Sequence, residues 1–166
     1  SGVFLRSTER GQCFQVYVDY HDDAIIGHLY GEGTGAWRTE PYRYDGVLKN
    51  GKLPDLRMKP YTQGEGYARP KYSSTAEEWR ATWKIGEFNT LRVRCVGEYP
   101  LITTWINGTK IMEFDAATHQ HPKYDKEATR QLLGREGHIA LQVHGGSDWW
   151  PPGAKIEWKN IMVKEI

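Results

Sequence analysis

The sequence predicts an all-β protein, an antiparallel sandwich or barrel, on three observations. Apolar and polar residues alternate with period two in several short runs. Turn residues separate the runs, most clearly the hairpin dipeptide Asn107-Gly108. No long run with helical period interrupts the pattern. The 166 residues fit one domain, residues 1–166, large enough to close a core without disulfides or metal.

The strands follow in order. Phe14, Val16 and Val18 share one side of a run, with Gln15, Tyr17 and Asp19 on the other. In the next run Ile26, His28 and Tyr30 alternate with Ile25, Gly27 and Leu29. Leu91, Val93 and Cys95 alternate with Arg92, Arg94 and Val96; a tight Gly97–Pro100 link leads to Leu101–Ile106, and Lys110–Phe114 returns after the hairpin. His138–His144 sets Ile139, Leu141 and Val143 against Ala140, Gln142 and His144, and a last strand is expected over Ala154–Ile166. Gly31–Phe88 lacks alternation and reads as a long irregular insertion. Within it Ser74-Thr75-Ala76-Glu77 has the form of a capping box, which predicts a short helix over about Thr75–Lys84. A second helical turn is expected near Lys126–Leu133.

Composition narrows the function. The formal net charge of +1 gives no electrostatic footprint for phosphate backbones, so nucleic acid is not an expected partner. No apolar run reaches the ~18 residues of a membrane span. Seven Trp and ten Tyr in a chain of mean hydropathy −0.69 point to stacking surfaces, and sugars are the small ligands that flat rings hold most often. Cys13 and Cys95 are too sparse for a disulfide framework and lack zinc spacing. Ser1-Gly2-Val3-Phe4-Leu5 reads as the inside of a strand, so the chain looks cut, with any export signal lying upstream.

Several motifs carry little weight. Gly31–Gly35 lacks the lysine and following helix of a phosphate loop. His119-Gln120-His121 precedes Pro122 and reads as a solvated loop. Asp19, His21, Asp22 and Asp23 are rich enough in oxygen for a divalent cation, yet fit a solvated turn better. Asn107-Gly108-Thr109 matches a glycosylation acceptor, but the hairpin turn already accounts for it. The polar side of the strands says more. If Phe14, Val16, Val18 and Ile139, Leu141, Val143 face the core, then Gln15, Tyr17, Asp19, Gln142 and His144 line an outer face, joined by His28, Tyr30 and Arg6. Such a set is denser in rings, donors and acceptors than an ordinary solvated face.

Particular segments then resemble a known family. Ser1-Gly2-Val3-Phe4-Leu5-Arg6-Ser7, Gln15–Asp19, Gly27–Gly31, Glu87–Val93, Thr104–Gly108, Gly137–Gly145 and Trp158–Ile166 resemble, in order, the motifs of the 3-keto-disaccharide hydrolase-like family. The resemblance implies a concanavalin A-like jelly roll and carbohydrate chemistry in an exported, extracellular or periplasmic, bacterial protein. It also implies strands before Ser1, so an incomplete sandwich is expected, completed by a second chain or by self-association. Gln15 stands where many relatives have Glu.

The chemistry implied is cleavage of a glycoside oxidised at C3, by hydrolysis or by C2-proton abstraction and elimination. The alternative is a lectin-like module that binds sugar without turnover. The resemblance casts His28, His144 and Asp19 as catalytic candidates. Arg6 or a divalent metal held by Asp19 and a histidine would stabilise the enolate oxygen. Gln15, Tyr17, Tyr30 and Gln142 would bind substrate, with Trp105, Trp149 or Trp150 as a stacking wall. His28 and His144 are expected in one cleft, with Trp149 or Trp150 at its edge.

Overall fold

A computed structural model describes residues 1–19, 25–44, 50, 56–57, 67–144, 153 and 155–166. The described chain forms two four-stranded antiparallel sheets and two short helices, an all-β sandwich. The first sheet holds β1 (Gly2–Ser7), β2 (Cys13–Val18), β3 (Ile26–Glu32) and β10 (His138–Leu141), in the order β10-β1-β2-β3. Two-residue strands β4 (Arg43–Tyr44) and β5 (Leu56–Arg57) pair with each other. The second sheet runs β6-β9-β8-β7, from β6 (Tyr72–Ser73), β7 (Leu91–Val96), β8 (Leu101–Ile106) and β9 (Thr109–Asp115).

Helix α1 (Ala76–Thr82) starts where the capping box predicts: Thr75 Oγ1 accepts from the Glu78 N–H, and Glu78 accepts from the Thr75 N–H. Helix α2 (Lys126–Leu133) is capped by Asp125. Between β8 and β9, Asn107 and Gly108 take φ of +48° and +89°, the left-handed pair that a two-residue hairpin turn requires.

The core lies between the sheets. Val16, Leu29, Ile102, Ile111, Met112 and Phe114 are wholly buried. Trp37 stacks on Phe114 at 4.7 Å and 9°, edge-on to Tyr124, while its Nε1–H donates to the Thr34 carbonyl. Among the described residues, two hydrogen bonds cross from the second sheet and α1 to β3. Thr104 Oγ1 donates to the Gly27 carbonyl at 2.6 Å, and Trp79 Nε1 donates to the Ile26 carbonyl at 3.2 Å. Both cysteines are free, and burial pushes the Cys13 thiol up to about 12.

Two expectations fail. Residues 155–166, expected in the last strand and alternating only over Lys155–Lys159, form no strand, and Ile161, Met162, Val163 and Ile166 are exposed. Alternation sets which side a residue would face, whereas a strand exists only as one member of a paired ladder. The second concerns β10. Leu141 pairs with Val3 and so shares the core side of the sheet, yet Ile139, Leu141 and Val143 are all exposed. The second sheet packs most closely over β3, at the opposite edge from β10.

Candidate active site

The outer face of the first sheet carries most of the expected polar set. Phe4 pairs with Gln15 and Gln15 with Tyr30, while Val3, Val16 and Leu29 form the adjoining core-side row. Gln15 Nε2 donates to Gln142 Oε1 at 2.8 Å. These amides come from β2 and from just beyond β10, so they meet across the intervening β1. Gly2 allows this, since a Cβ there would lie 2.8 Å from the Gln15 amide nitrogen. The rings of Tyr17 and Tyr30 sit 5.5 Å apart on the same face. Burial, as the largest cause, raises the pKa of both phenols, so they stay protonated at neutral pH.

The residue that completes this face lies in the stretch that looks aperiodic. After the Gly33–Gly35 turn, residues 37–39 run antiparallel to the edge of β3. The Gly31 N–H donates to the Trp37 carbonyl, the Thr39 N–H donates to the Leu29 carbonyl, and Tyr30 bridges Arg38. Alternation turns Trp37 and Thr39 inward and puts Arg38 and Glu40 on the side of Tyr30. The Arg38 guanidinium lies over the Tyr30 ring at 5.4 Å. Pro41 restricts Glu40 to extended backbone. The register extended by one pair sets Glu40 opposite His28.

Glu40 is completely buried, unusual for a carboxylic acid. Arg43 donates to its Oε1 at 3.3 Å, whereas Oε2 is buried without a hydrogen-bond partner among the described residues. Burial pushes its pKa up to about 7, against the opposing pull of its backbone hydrogen bond, Arg38 and Arg43. Burial wins because these contacts do not replace the water that both oxygens have lost. Burial is the main cause that raises Tyr67 as it does Tyr17, and Glu40 adds to both, which places it near these phenols. The signal in the sequence was the pair Arg38 and Glu40 two residues apart between inward Trp37 and Thr39, too short a run to stand out.

Other expected residues are placed differently. His28 is on β3 but wholly buried, edge-on to Tyr42 at 5.4 Å. Burial lowers its pKa to about 3, only partly offset by a Thr39 backbone group, so it is neutral at physiological pH. Among the described residues neither ring nitrogen has a well-formed hydrogen bond. His144 is exposed beyond β10, at the other edge of the sheet. Three strand spacings, roughly 14 Å, separate the two strands, so the sheet does not bring the two histidines together as expected. Asp19 follows β2, donates its N–H to the Ile25 carbonyl and raises Tyr17.

Arg6 does not share the polar face. Its φ of +52° lies at an irregularity in the β1–β10 pairing, and its guanidinium donates to the carbonyls of Gly97, Glu98 and Gly134. It thus ties the end of α2 to the β7–β8 turn. Arg6→Ala is expected to lower stability by ~2 kcal/mol, measured by urea denaturation, with faster amide exchange in α2. Unchanged exchange there would refute the tie.

Trp105 is also elsewhere: Ile102, Thr104 and Ile106 of β8 face inward, so Trp105 lies on the outer face of the second sheet, across the sandwich. Trp149 and Trp150 lie outside the described residues, as do His21, Asp22 and Asp23. Among the described residues no group of three or more His, Cys, Asp or Glu gathers as a metal site. No described helix is long and apolar enough to cross a membrane.

The molecule is therefore an antiparallel sandwich with a polar, ring-lined sheet face and one buried acid beside it. Residues 1–164 match the family model of the 3-keto-alpha-glucoside-1,2-lyase-like domain, and the chain belongs to that family. No curated protein and no solved structure gives a significant match.

Proposed function

We propose that this protein cleaves the glycosidic bond of a 3-keto-glucoside by removing the C2 proton and eliminating the C1 substituent. The observation that carries this reading is Glu40, a buried carboxylic acid held near neutrality, one oxygen of which accepts no hydrogen bond among the described residues. A ketone at C3 acidifies the C2 hydrogen, so a base of this strength suffices. The carboxylate takes that proton, the C2–H electrons form the C1–C2 double bond, and the C1–O bond breaks. Arg38 is the cation suited to the enolate oxygen at C3. Tyr17, a phenol kept protonated, is suited to protonate the departing oxygen. Gln15 and Gln142 offer a paired amide surface for sugar hydroxyls. His28, a neutral and buried residue of β3, lies opposite Glu40 in this scheme and takes no proton.

A second reading, sugar binding without turnover, draws on the same amide pair and on Gln15 where an acid would otherwise stand. A p-nitrophenyl 3-keto-α-glucoside separates the two, assayed with and without chelator. Elimination releases nitrophenol together with an enone absorbance, and deuterium at C2 slows it several-fold. The rate should rise with pH through about 7, as Glu40 ionises. Binding without release would establish the module. Release without a deuterium effect would point to direct hydrolysis.

A further inference from the structure

On the far side of the sandwich, the outer face of the second sheet concentrates cations that the chain's near-neutral total conceals. Cross-strand pairing sets out two rows. One runs Arg92, Trp105, Lys110 and the other Arg94, Thr103, Glu113, Tyr72. A register shift in β9 turns both Ile111 and Met112 inward and so keeps Lys110 on the outer side. Glu113 is the one carboxylate in the two rows. It is occupied by Lys110 Nζ at 2.7 Å and by Lys71 Nζ at 3.9 Å, and Lys71 adds a fourth cation. Asp115, one row further, accepts from the Ala117 N–H. Arg92 and Arg94 remain exposed.

Two of these cations are seated on rings. The Arg92 guanidinium lies 4.8 Å over Trp105, and Lys110 Nζ lies 4.7 Å over Tyr72. Stacking holds a guanidinium flat and limits its rotamers, which prepares its fork of N–H donors for a carboxylate. Arg92, Trp105 and Lys110 sit on adjacent strands, ~4.8 Å apart, comparable to the advance of one pyranose along an extended oligosaccharide. At the β6 end, a recess of about 300 Å³ shares Lys71 and the carboxylate Asp115 with this sheet and adds Arg69. Both rings are already covered by cations, so the face offers no bare aromatic platform for a nucleobase.

We propose that this face is a second binding site, for an acidic oligosaccharide of uronate type, separate from the face that holds Glu40. The choice of a sugar rests on the carbohydrate reading above; the charge and its spacing do not.

The test is calorimetric titration of the whole chain with tetragalacturonate, alongside neutral maltotetraose and a uridine octanucleotide. Tetragalacturonate should bind, weaken as salt rises from 50 to 500 mM, and outcompete the other two. The surface pair Arg92→Gln/Arg94→Gln should abolish this binding and leave cleavage of the 3-keto-glucoside unchanged. Trp105→Phe, a variant that keeps a ring in place, should weaken binding by up to ~10-fold, with an unaltered denaturation midpoint. Glu40→Gln should bind tetragalacturonate as well as the parent. Absence of binding, tighter binding of the octanucleotide, or loss of binding in Glu40→Gln would each overturn the proposal. Failure of the 3-keto-glucoside assay alone would overturn the catalytic reading and leave this site standing.

Discussion

Glu40→Gln is expected to lower turnover by ~10³-fold, within the range that a positioned acid or base supplies, while making the protein more stable at alkaline pH. The stability effect follows from the direction of the pKa shift. Glu40 titrates near 7 in the folded chain, against 4.5 for the ordinary side chain. Between those values the folded state holds a proton that the unfolded chain has released, so stability falls as pH rises through the window. The penalty is absent below about pH 4.5 and fully present above about 7, on the order of 3 kcal/mol. Glutamine is uncharged and nearly the same shape, so it removes the penalty and retains an oxygen to accept from Arg43. Urea denaturation at pH 5 and pH 8 should show a fall for the parent and a flat profile for the variant. The same fall in both would mean that another group carries the pH dependence. A stable but fully active variant would remove Glu40 from the chemistry.

Trp37→Ala is expected to be the most damaging single truncation in the core. The indole is completely buried, stacked on Phe114, edge-on to Tyr124 and tilted against Phe14. Its removal leaves a cavity that these rings cannot collapse into, because Phe14 is fixed on β2, Phe114 on β9 of the opposite sheet and Tyr124 by its bond to the Ala116 carbonyl. Loss of a buried Trp costs ~3–5 kcal/mol, a large part of the ~5–15 kcal/mol that holds a typical domain folded. Trp37→Phe keeps the stack on Phe114 and loses the Nε1 bond to Thr34, so it should fall between parent and alanine. Denaturation midpoints and near-ultraviolet circular dichroism would rank the three. The effect also reaches the site, since residues 37–39 form the extended segment that carries Arg38 and Glu40 along β3.

The sandwich, both helices and the Asn107-Gly108 hairpin were legible because each has a local cause: alternation, a capping box, and a turn that demands left-handed backbone. The polar face was legible in part for the same reason, since Gln15, Tyr17 and Tyr30 alternate on regular strands. Arg6 was misread because one residue of positive φ reverses the side to which the next side chains point, and arginine gives no sign of that. Trp105 was misread because alternation tells inner from outer but not which of two sheets is meant. Glu40 was missed because its burial comes from chain that is distant in sequence. A carboxylate followed by proline looks like any loop until the strand beside it is known. The C-terminal run shows the converse: Ile156 and Trp158 alternate with Lys155, Glu157 and Lys159, and no pairing among the described residues turns that pattern into a strand.

The two hydrogen bonds that cross the core have a mechanical consequence. Apolar side chains resist separation of two sheets but resist sliding only weakly, because one greasy contact can be exchanged for the next. A hydrogen bond is directional and, once buried, has no substitute partner a few ångströms away. Thr104 and Trp79 anchor adjacent carbonyls, those of Gly27 and Ile26, at the start of β3. They therefore act as dowels against shear between the layers. β3 is also the strand that presents Tyr30 outward and against which residues 37–39 lie, so the polar face is registered to the joint where the two layers are bonded together and not to the β10 edge.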